Sequence, residues 1–168
     1  MEERKMDEKN TKTKEERAKE LFFEGYNCAQ AVVGAFLEDG GIGLETDKSR
    51  ILSMVSSFGG GMGRLREVCG AVSGMFFVAG ALYGYCDPKD LEAKKEHYQR
   101  IQELAARFKE SNGSIICREL LGLEGKDTSP NPSPRTEEYY QKRPCPDKIG
   151  DAARIMEEYI KEHPLEAR

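Results

Sequence analysis

Cysteines are the residues of this chain that offer the most distinctive chemistry, and there are five of them, Cys28, Cys69, Cys86, Cys117 and Cys145. A cysteine thiolate attacks disulfides and binds metal ions. A disulfide framework in a small secreted domain usually has an even number of cysteines and an export signal, and the sequence shows neither. The first twenty residues are a mixed-charge run without an apolar core. We therefore expect a cytoplasmic protein, in which cysteines serve as reactive thiols, metal ligands or core residues.

The composition predicts one soluble domain. The chain has 168 residues, 38% of them hydrophobic and 33% charged, which is enough to bury a core without cross-links. A net charge of −4, with both signs spread along the chain, argues against a nucleic-acid-binding protein. Two histidines and no tryptophan weaken the case for a metallohydrolase or a carbohydrate-binding platform. His97 and His163 lie on charged stretches without a partner at ligand spacing, so we expect both at the surface.

Apolar residues recur at steps of three and four along most of the chain, which indicates helices. We predict a charged, frayed segment at residues 1–13, a single helical domain at 14–168, a glycine loop at 40–43 and a proline-rich loop at 124–144. The predicted fold class is all-α, a bundle of about six to seven helices around a central helix rich in small residues. The predicted inward-facing positions include Ile51, Met54, Val55, Phe58, Leu91, Tyr98, Ile101 and Phe108.

The central helix of that bundle is the uncharged stretch at 68–86. Its length would suit a membrane span, but glycines, alanines and Ser73 dilute it, and amphipathic helices flank it. We therefore expect a buried helix around which its neighbours pack closely, and no membrane span.

Four of the five cysteines lie at predicted helix starts. Cys28 follows an asparagine cap, Cys145 precedes a proline and is the expected cap itself, and Cys117 lies in a first turn. Cys69 follows the glycine-rich turn at 59–63. A helix start carries partial positive charge and unpaired N–H groups, both of which favour thiolate over thiol. We therefore expect lowered pKa values at these four cysteines.

Cys86 differs, because it lies at a predicted helix end, just before Asp87 and Pro88. The field of a helix end disfavours a thiolate. We expect this side chain to pack as a small apolar group in the core.

The glycine-rich turn allows two interpretations. Gly60, Gly61 and Gly63, followed by Arg64, could cradle an anion or a cofactor phosphate at a helix start. The run matches neither a P-loop nor a dinucleotide fingerprint, however, and no strand precedes it. The alternative is a tight connection between two packed helices. The neighbouring arginines, Arg64 and Arg66, would lower the pKa of Cys69 if they face it.

The residues Cys69-Gly70-Ala71-Val72-Ser73-Gly74 read as Cys-Gly-Ala-x-x-Gly, with Gly25-Tyr26-Asn27-Cys28-Ala29-Gln30 upstream and two cysteines downstream. This pattern resembles the redox-active protein family named for its C-GCAxxG-C-C cysteines, small helical proteins found largely in anaerobic bacteria and archaea, some of them reported as selenoproteins. The resemblance covers the chain from about Glu20 to the last helix. It implies that the functional positions are Cys28, Cys69, Cys117 and Cys145, and it leaves Cys86 outside the pattern.

Three functions remain open at this point. In the first, a cysteine thiolate attacks, a second cysteine resolves, and the resulting disulfide cycles with a redox partner protein. In the second, the same four cysteines hold zinc or an iron–sulfur cluster. The third is a non-enzymatic helical interaction module with incidental cysteines. We favour the first function modestly. The cofactor stays open between none (a redox disulfide), an iron–sulfur cluster and zinc, and the chain could form a homo-oligomer.

Overall fold

Capping boxes start the first two helices. The structure, a computed structural model, describes residues 11–38, 42, 47–123 and 127–166. Helix α1 (Lys14–Phe23) begins where the Thr13 hydroxyl accepts from the Glu16 N–H and the Glu16 carboxylate accepts from the Thr13 N–H. Helix α2 (Cys28–Leu37) begins in the same way, with Asn27 and Gln30 as the reciprocal pair. These caps fix the direction in which each helix enters the bundle.

The remaining helices follow in chain order. They are α3 (Lys48–Val55), the four-residue turn α4 (Gly59–Met62), α5 (Gly70–Tyr83), α6 (Leu91–Asn112), α7 (Cys117–Leu120), α8 (Glu137–Lys142) and α9 (Cys145–Glu162). The part of the chain that the structure describes contains no strand, and the predicted all-α, single-domain fold is confirmed.

Helix α5 is the centre of the bundle and packs against α2, α6 and α9. Small residues allow this packing: a Cβ atom added at Gly74 would lie 2.9 Å from the backbone oxygen of Ala29 in α2. The core around it includes Phe22, Phe36, Met75, Phe108 and Met156, all almost fully buried. In the described part of the chain, no helix has the length and apolar character that crossing a membrane requires.

Some sequence-based expectations are wrong in detail. Met54, Leu91 and Tyr98 were predicted to face inward but are 59%, 70% and 51% exposed. The residues of helix α6 before Leu104 are exposed or half-buried, so its apolar stripe meets the core mainly at Leu104 and Phe108. The predicted proline-rich loop contains helix α8, and its residues 124–126 lie outside the described residues. Residues 1–10 and most of the glycine loop at 40–43 also lie outside them.

Candidate thiol site

Four cysteines from four helix starts line one enclosed pocket. Cys28, Cys117 and Cys145 are the first residues of α2, α7 and α9, and Cys69 is the residue that precedes α5. All four line a pocket with a volume of about 20 Å³, and all carry free thiols. A volume of that size holds roughly one water molecule. Sequence positions that lie up to 117 residues apart are therefore brought together (145 minus 28).

Backbone pairing holds Cys69 next to Cys117. Val68 and Ile116 form an isolated antiparallel bridge. The N–H of Cys69 donates to the carbonyl of Ile115 at 2.8 Å, and the N–H of Cys117 donates to the carbonyl of Glu67 at 2.6 Å. The bridge therefore ties the start of α5 to the start of α7.

Glycines allow the elements of the site to approach closely. A Cβ atom at Gly61 would lie 2.6 Å from the Cβ of Cys117, and one at Gly70 would lie 3.0 Å from the Cβ of Cys28. Gly61 also has a φ of +71°, in the left-handed region that favours glycine. The glycine-rich turn thus lets packed elements approach closely, and both interpretations of its sequence stay predictions.

Cys145 is the acidic thiol of the pocket. A hydrogen bond from the Cys28 thiol lowers the pKa of Cys145 to about 7, against an opposing effect of burial. The positive charges of Arg143, Arg135 and Arg66 lower it further. The same hydrogen bond, together with burial, raises the pKa of Cys28 well above its usual value. A thiolate of this pair therefore forms on Cys145, the member whose pKa the arginines lower.

The raised pKa values of Cys28, Cys69 and Cys117 contradict our expectation of lowered pKa values at all four helix starts, which holds at Cys145 alone. Burial raises the pKa of Cys69 to about 12, although the N–H groups of Ala71 and Val72 partly offset it. Burial also raises the pKa of Cys117, against the opposing effect of Arg66, whose Nη1 lies 3.8 Å from the Cys117 sulfur. Arg66 thus contacts Cys117 and not Cys69. Desolvation outweighs the helix start at both positions.

Cys86 lies outside the pocket, in the connection between α5 and α6. Helix α5 ends at Tyr83, so Cys86 comes after the helix end that we predicted. The residue is exposed, which makes the expectation of core packing wrong. Its separation from the other four cysteines agrees with its position outside the family pattern.

A second, larger cleft opens beside the thiol pocket. It has a volume of about 200 Å³, and Cys28, Cys117 and Cys145 line it too. Four arginines face it, Arg64, Arg66, Arg135 and Arg143. Sequence reasoning missed the last two, because the predicted proline-rich loop gave no sign that α8 and its neighbours would fold back onto the thiols.

The residues proposed from sequence as an anion site divide between the two cavities. Gly60 lines both, Gly61 lines the thiol pocket, and Arg64 lines the cleft. The guanidinium of Arg64 donates to the Ser129 carbonyl at 2.6 Å and pairs with Asp127 at 3.5 Å, which ties it to the neighbouring loop. Gly63 ends the turn with a φ of +63° and lines neither cavity.

A metal site was the second possibility at these thiols. That hypothesis requires four sulfurs around one pocket at the distances that metal ligands need. Within the described ranges, no group of three or more His, Cys, Asp or Glu side chains has a geometry that could hold a metal ion. As arranged here, the residues do not fit a metal group, and we derive no step through one.

Comparison with known proteins gives one match. A family model described as "Putative redox-active protein (C_GCAxxG_C_C)" matches residues 26–159, which is most of the chain and includes all four cysteines of the pocket. Searches of curated proteins and of solved structures returned no match.

Proposed function

The chain belongs to the C_GCAxxG_C_C family, and from that membership and the geometry of its thiols we propose that it works by thiol–disulfide exchange. The observation that carries the proposal is the Cys28–Cys145 pair, two thiols that line one pocket and shift each other's pKa in opposite directions. A thiolate available at neutral pH next to a protonated partner is the arrangement that exchange requires.

Cys145 is the attacking residue in this proposal. Its thiolate attacks one sulfur of a substrate disulfide, forming a mixed disulfide and releasing one substrate thiolate. Cys28 then attacks the Cys145 sulfur, the bond from that sulfur to the substrate breaks, and the second substrate thiolate leaves with the Cys28 proton. The substrate disulfide is reduced by two electrons, and the protein acquires a Cys28–Cys145 disulfide. A dithiol reductant, supplied by a redox partner protein, restores the reduced pair.

Cys69 and Cys117 form the second dithiol of the proposal. Both are buried, and raised pKa values keep them protonated at neutral pH. They do not compete as attacking groups, but they line the same pocket as the first pair. A disulfide formed at Cys28–Cys145 can therefore pass to them by a further exchange within the pocket.

The test is single-turnover reaction of the anaerobically purified, reduced protein with a small disulfide, followed by mass-spectrometric mapping of its cysteines. We expect Cys145→Ser to abolish the reaction and Cys28→Ser to trap the mixed disulfide on Cys145. Cys86→Ala is the matched control and should cycle normally. Metal analysis of the same preparation completes the experiment. A stoichiometric metal that shields the four thiols, or full cycling by Cys28→Ser, would overturn the proposal.

A further inference from the structure

The cleft beside the thiol pocket is strongly cationic in a chain whose net charge is −4. Its lining holds four arginines, and none of the described residues in that lining is acidic. Arg66 is 3% exposed, so its charge is held inside the protein and not at a solvated rim. Buried positive charge in a low-dielectric wall attracts an anion more strongly than the same charge on an open surface.

Three of these arginines lack an acidic partner. In the part of the chain that the structure describes, no carboxylate forms an ion pair with Arg66, Arg135 or Arg143, whereas Arg17, Arg107 and Arg154 elsewhere all have such partners. Arg64 is the exception within the cleft, because it pairs with Asp127. The cleft thus retains positive charge that the protein itself does not neutralise.

Two of the unpaired arginines are fixed in place. Arg66 donates to the Asp127 carbonyl at 3.1 Å, and Arg135 donates to the carbonyls of Phe22 and Tyr26 at 3.2 Å each. Arg135 also stacks on the Phe22 ring, with its guanidinium carbon 4.3 Å from the ring centroid. These contacts hold the charges in position while using neutral acceptors only.

Arg143 keeps its donors available. Its guanidinium carbon lies 5.2 Å from the centroid of the Tyr139 ring, and no described residue accepts a hydrogen bond from its side chain. It comes two residues before Cys145, the attacking residue of the proposed exchange. A planar guanidinium with unused N–H groups binds a carboxylate or a phosphate in two-point fashion.

We propose that this cleft is a substrate site for a small anionic disulfide, whose carboxylate or phosphate groups are held by Arg143, Arg135 and Arg66 while Cys145 attacks its sulfur. The inference rests on the proposed function and names its substrate class. The cleft is about ten times the volume of the thiol pocket (200 against 20 Å³), and three of the four thiols line both. A substrate bound by its anionic group in the cleft is therefore next to the reacting sulfur.

The exchange needs no reactant other than the reduced protein and the anionic disulfide. The Cys145 thiolate displaces one thiolate from the anionic disulfide, Cys28 displaces the second, and two anionic thiols leave as the Cys28–Cys145 disulfide forms. The arginines take no part in the electron transfer. They offset the repulsion between an anionic substrate and the attacking thiolate, which otherwise slows such an encounter.

The test compares three disulfides of similar size and different charge: 3,3′-dithiodipropionate, bis(2-hydroxyethyl) disulfide and cystamine. Rate constants for each are measured by stopped flow with the reduced protein and divided by the rate constants with 2-mercaptoethanol thiolate, which carries no charge besides the thiolate. That division removes the intrinsic reactivity of each disulfide. We expect the normalised rate for the dianion, 3,3′-dithiodipropionate, to exceed that for the neutral disulfide by about tenfold and to exceed that for the dication, cystamine, by more. This preference should fall as salt is added.

Variants at Arg143 distinguish the effect of losing its charge from an effect on folding. Arg143→Gln should remove most of the preference for the dianion, while Arg143→Lys, which keeps the charge, should retain part of it. Rates are taken at a pH where Cys145 is fully ionised in each variant, so that a change in its ionisation does not enter. Arg154→Gln is the matched control, since Arg154 lies on α9 and pairs with Glu158 away from the cleft.

The outcomes distinguish the two proposals. If none of the three disulfides reacts faster with the protein than with its Cys145→Ser variant, the proposed function fails. If all react through Cys145 but the normalised rates are equal, the exchange stands and the anionic substrate class is overturned. A preference that survives in Arg143→Gln and Arg135→Gln alike would overturn the assignment of the cleft.

Discussion

The two pairs of thiols in the pocket share a position at helix starts but differ in what surrounds them. Cys28 and Cys145 face the cleft, where the Cys28 hydrogen bond and three arginine charges favour a thiolate on Cys145. Cys69 and Cys117 are each 7% exposed, although Cys117 also lines the cleft, and burial favours the neutral thiol at both. One pocket therefore holds thiols with opposite pKa shifts.

The difference shows that a helix start alone does not make a reactive thiol. The partial positive charge at a helix start favours a thiolate by a modest amount, and burial can oppose it by more. The N–H groups of Ala71 and Val72 at the start of α5 lower the pKa of Cys69, yet burial raises it by more. Nearby charged or donating side chains decide the outcome at Cys145. Four measurements, one on the unchanged protein and three on variants, can break or sharpen this contrast.

The largest effect should appear in the rates at which Cys145 and Cys69 react with iodoacetamide at pH 7. With pKa values of about 7 and about 12, half of Cys145 and about one part in 10⁵ of Cys69 are ionised. The weaker nucleophilicity of the more acidic thiolate reduces this ratio, leaving Cys145 about 300-fold faster. Peptide mapping after timed quenching measures both rates. In denaturant the two rates should become similar. Similar rates in the native protein would contradict the proposed difference in pKa between Cys145 and Cys69.

The second prediction concerns the packing that holds Cys117. Gly61→Ala places a methyl group against the Cys117 Cβ in a left-handed backbone conformation, so we expect a loss of about 3 kcal/mol in the free energy of unfolding. Gly113→Ala is the matched control. Gly113 has a φ of +86° but open space around it, so it should cost only about 1 kcal/mol. Equal losses in urea denaturation would mean that the close approach to Cys117 does not constrain the site.

Local signals explain what the sequence predicts well. Asn27 and Asp47 cap helices at the expected residues because a cap depends on neighbours within a turn. Cys145 is the first residue of α9 and not its cap, a difference of one position. The grouping of the four cysteines follows from helix starts together with the family pattern.

Long-range packing explains what the sequence does not predict. The pKa direction of each thiol depends on burial and on charges from distant segments. Arg135 precedes α8 and Arg143 follows it, and both line the cleft beside the thiols. They lie in a stretch whose prolines predict a loop. Arg66 follows the glycine-rich turn, but its contact with Cys117 and not Cys69 depends on the bridge between Val68 and Ile116. No local pattern carries that information.

The third prediction tests the hydrogen bond within the Cys28–Cys145 pair. Cys28→Ala removes the donor that favours the Cys145 thiolate, so the pKa of Cys145 should rise from about 7 toward its usual value. Alkylation of Cys145 rises with pH through that pKa, and its midpoint should therefore move to higher pH. Cys28→Ser is the control, because a hydroxyl can still donate and should move the midpoint less. An unchanged midpoint in Cys28→Ala would assign the lowered pKa to the arginines alone.

The smallest effect should come from Cys86, the thiol that neither cavity includes. Its side chain is exposed in the connection after α5, so Cys86→Ala removes almost no buried area and should change the free energy of unfolding by less than about 0.5 kcal/mol. The rate and pH midpoint of Cys145 alkylation should also stay unchanged. Cys69→Ala is the comparison, since it empties a site that is 7% exposed within the core and should destabilise the fold measurably. If Cys86→Ala were the more destabilising of the two, the division of the five cysteines into four pocket thiols and one surface thiol would be wrong.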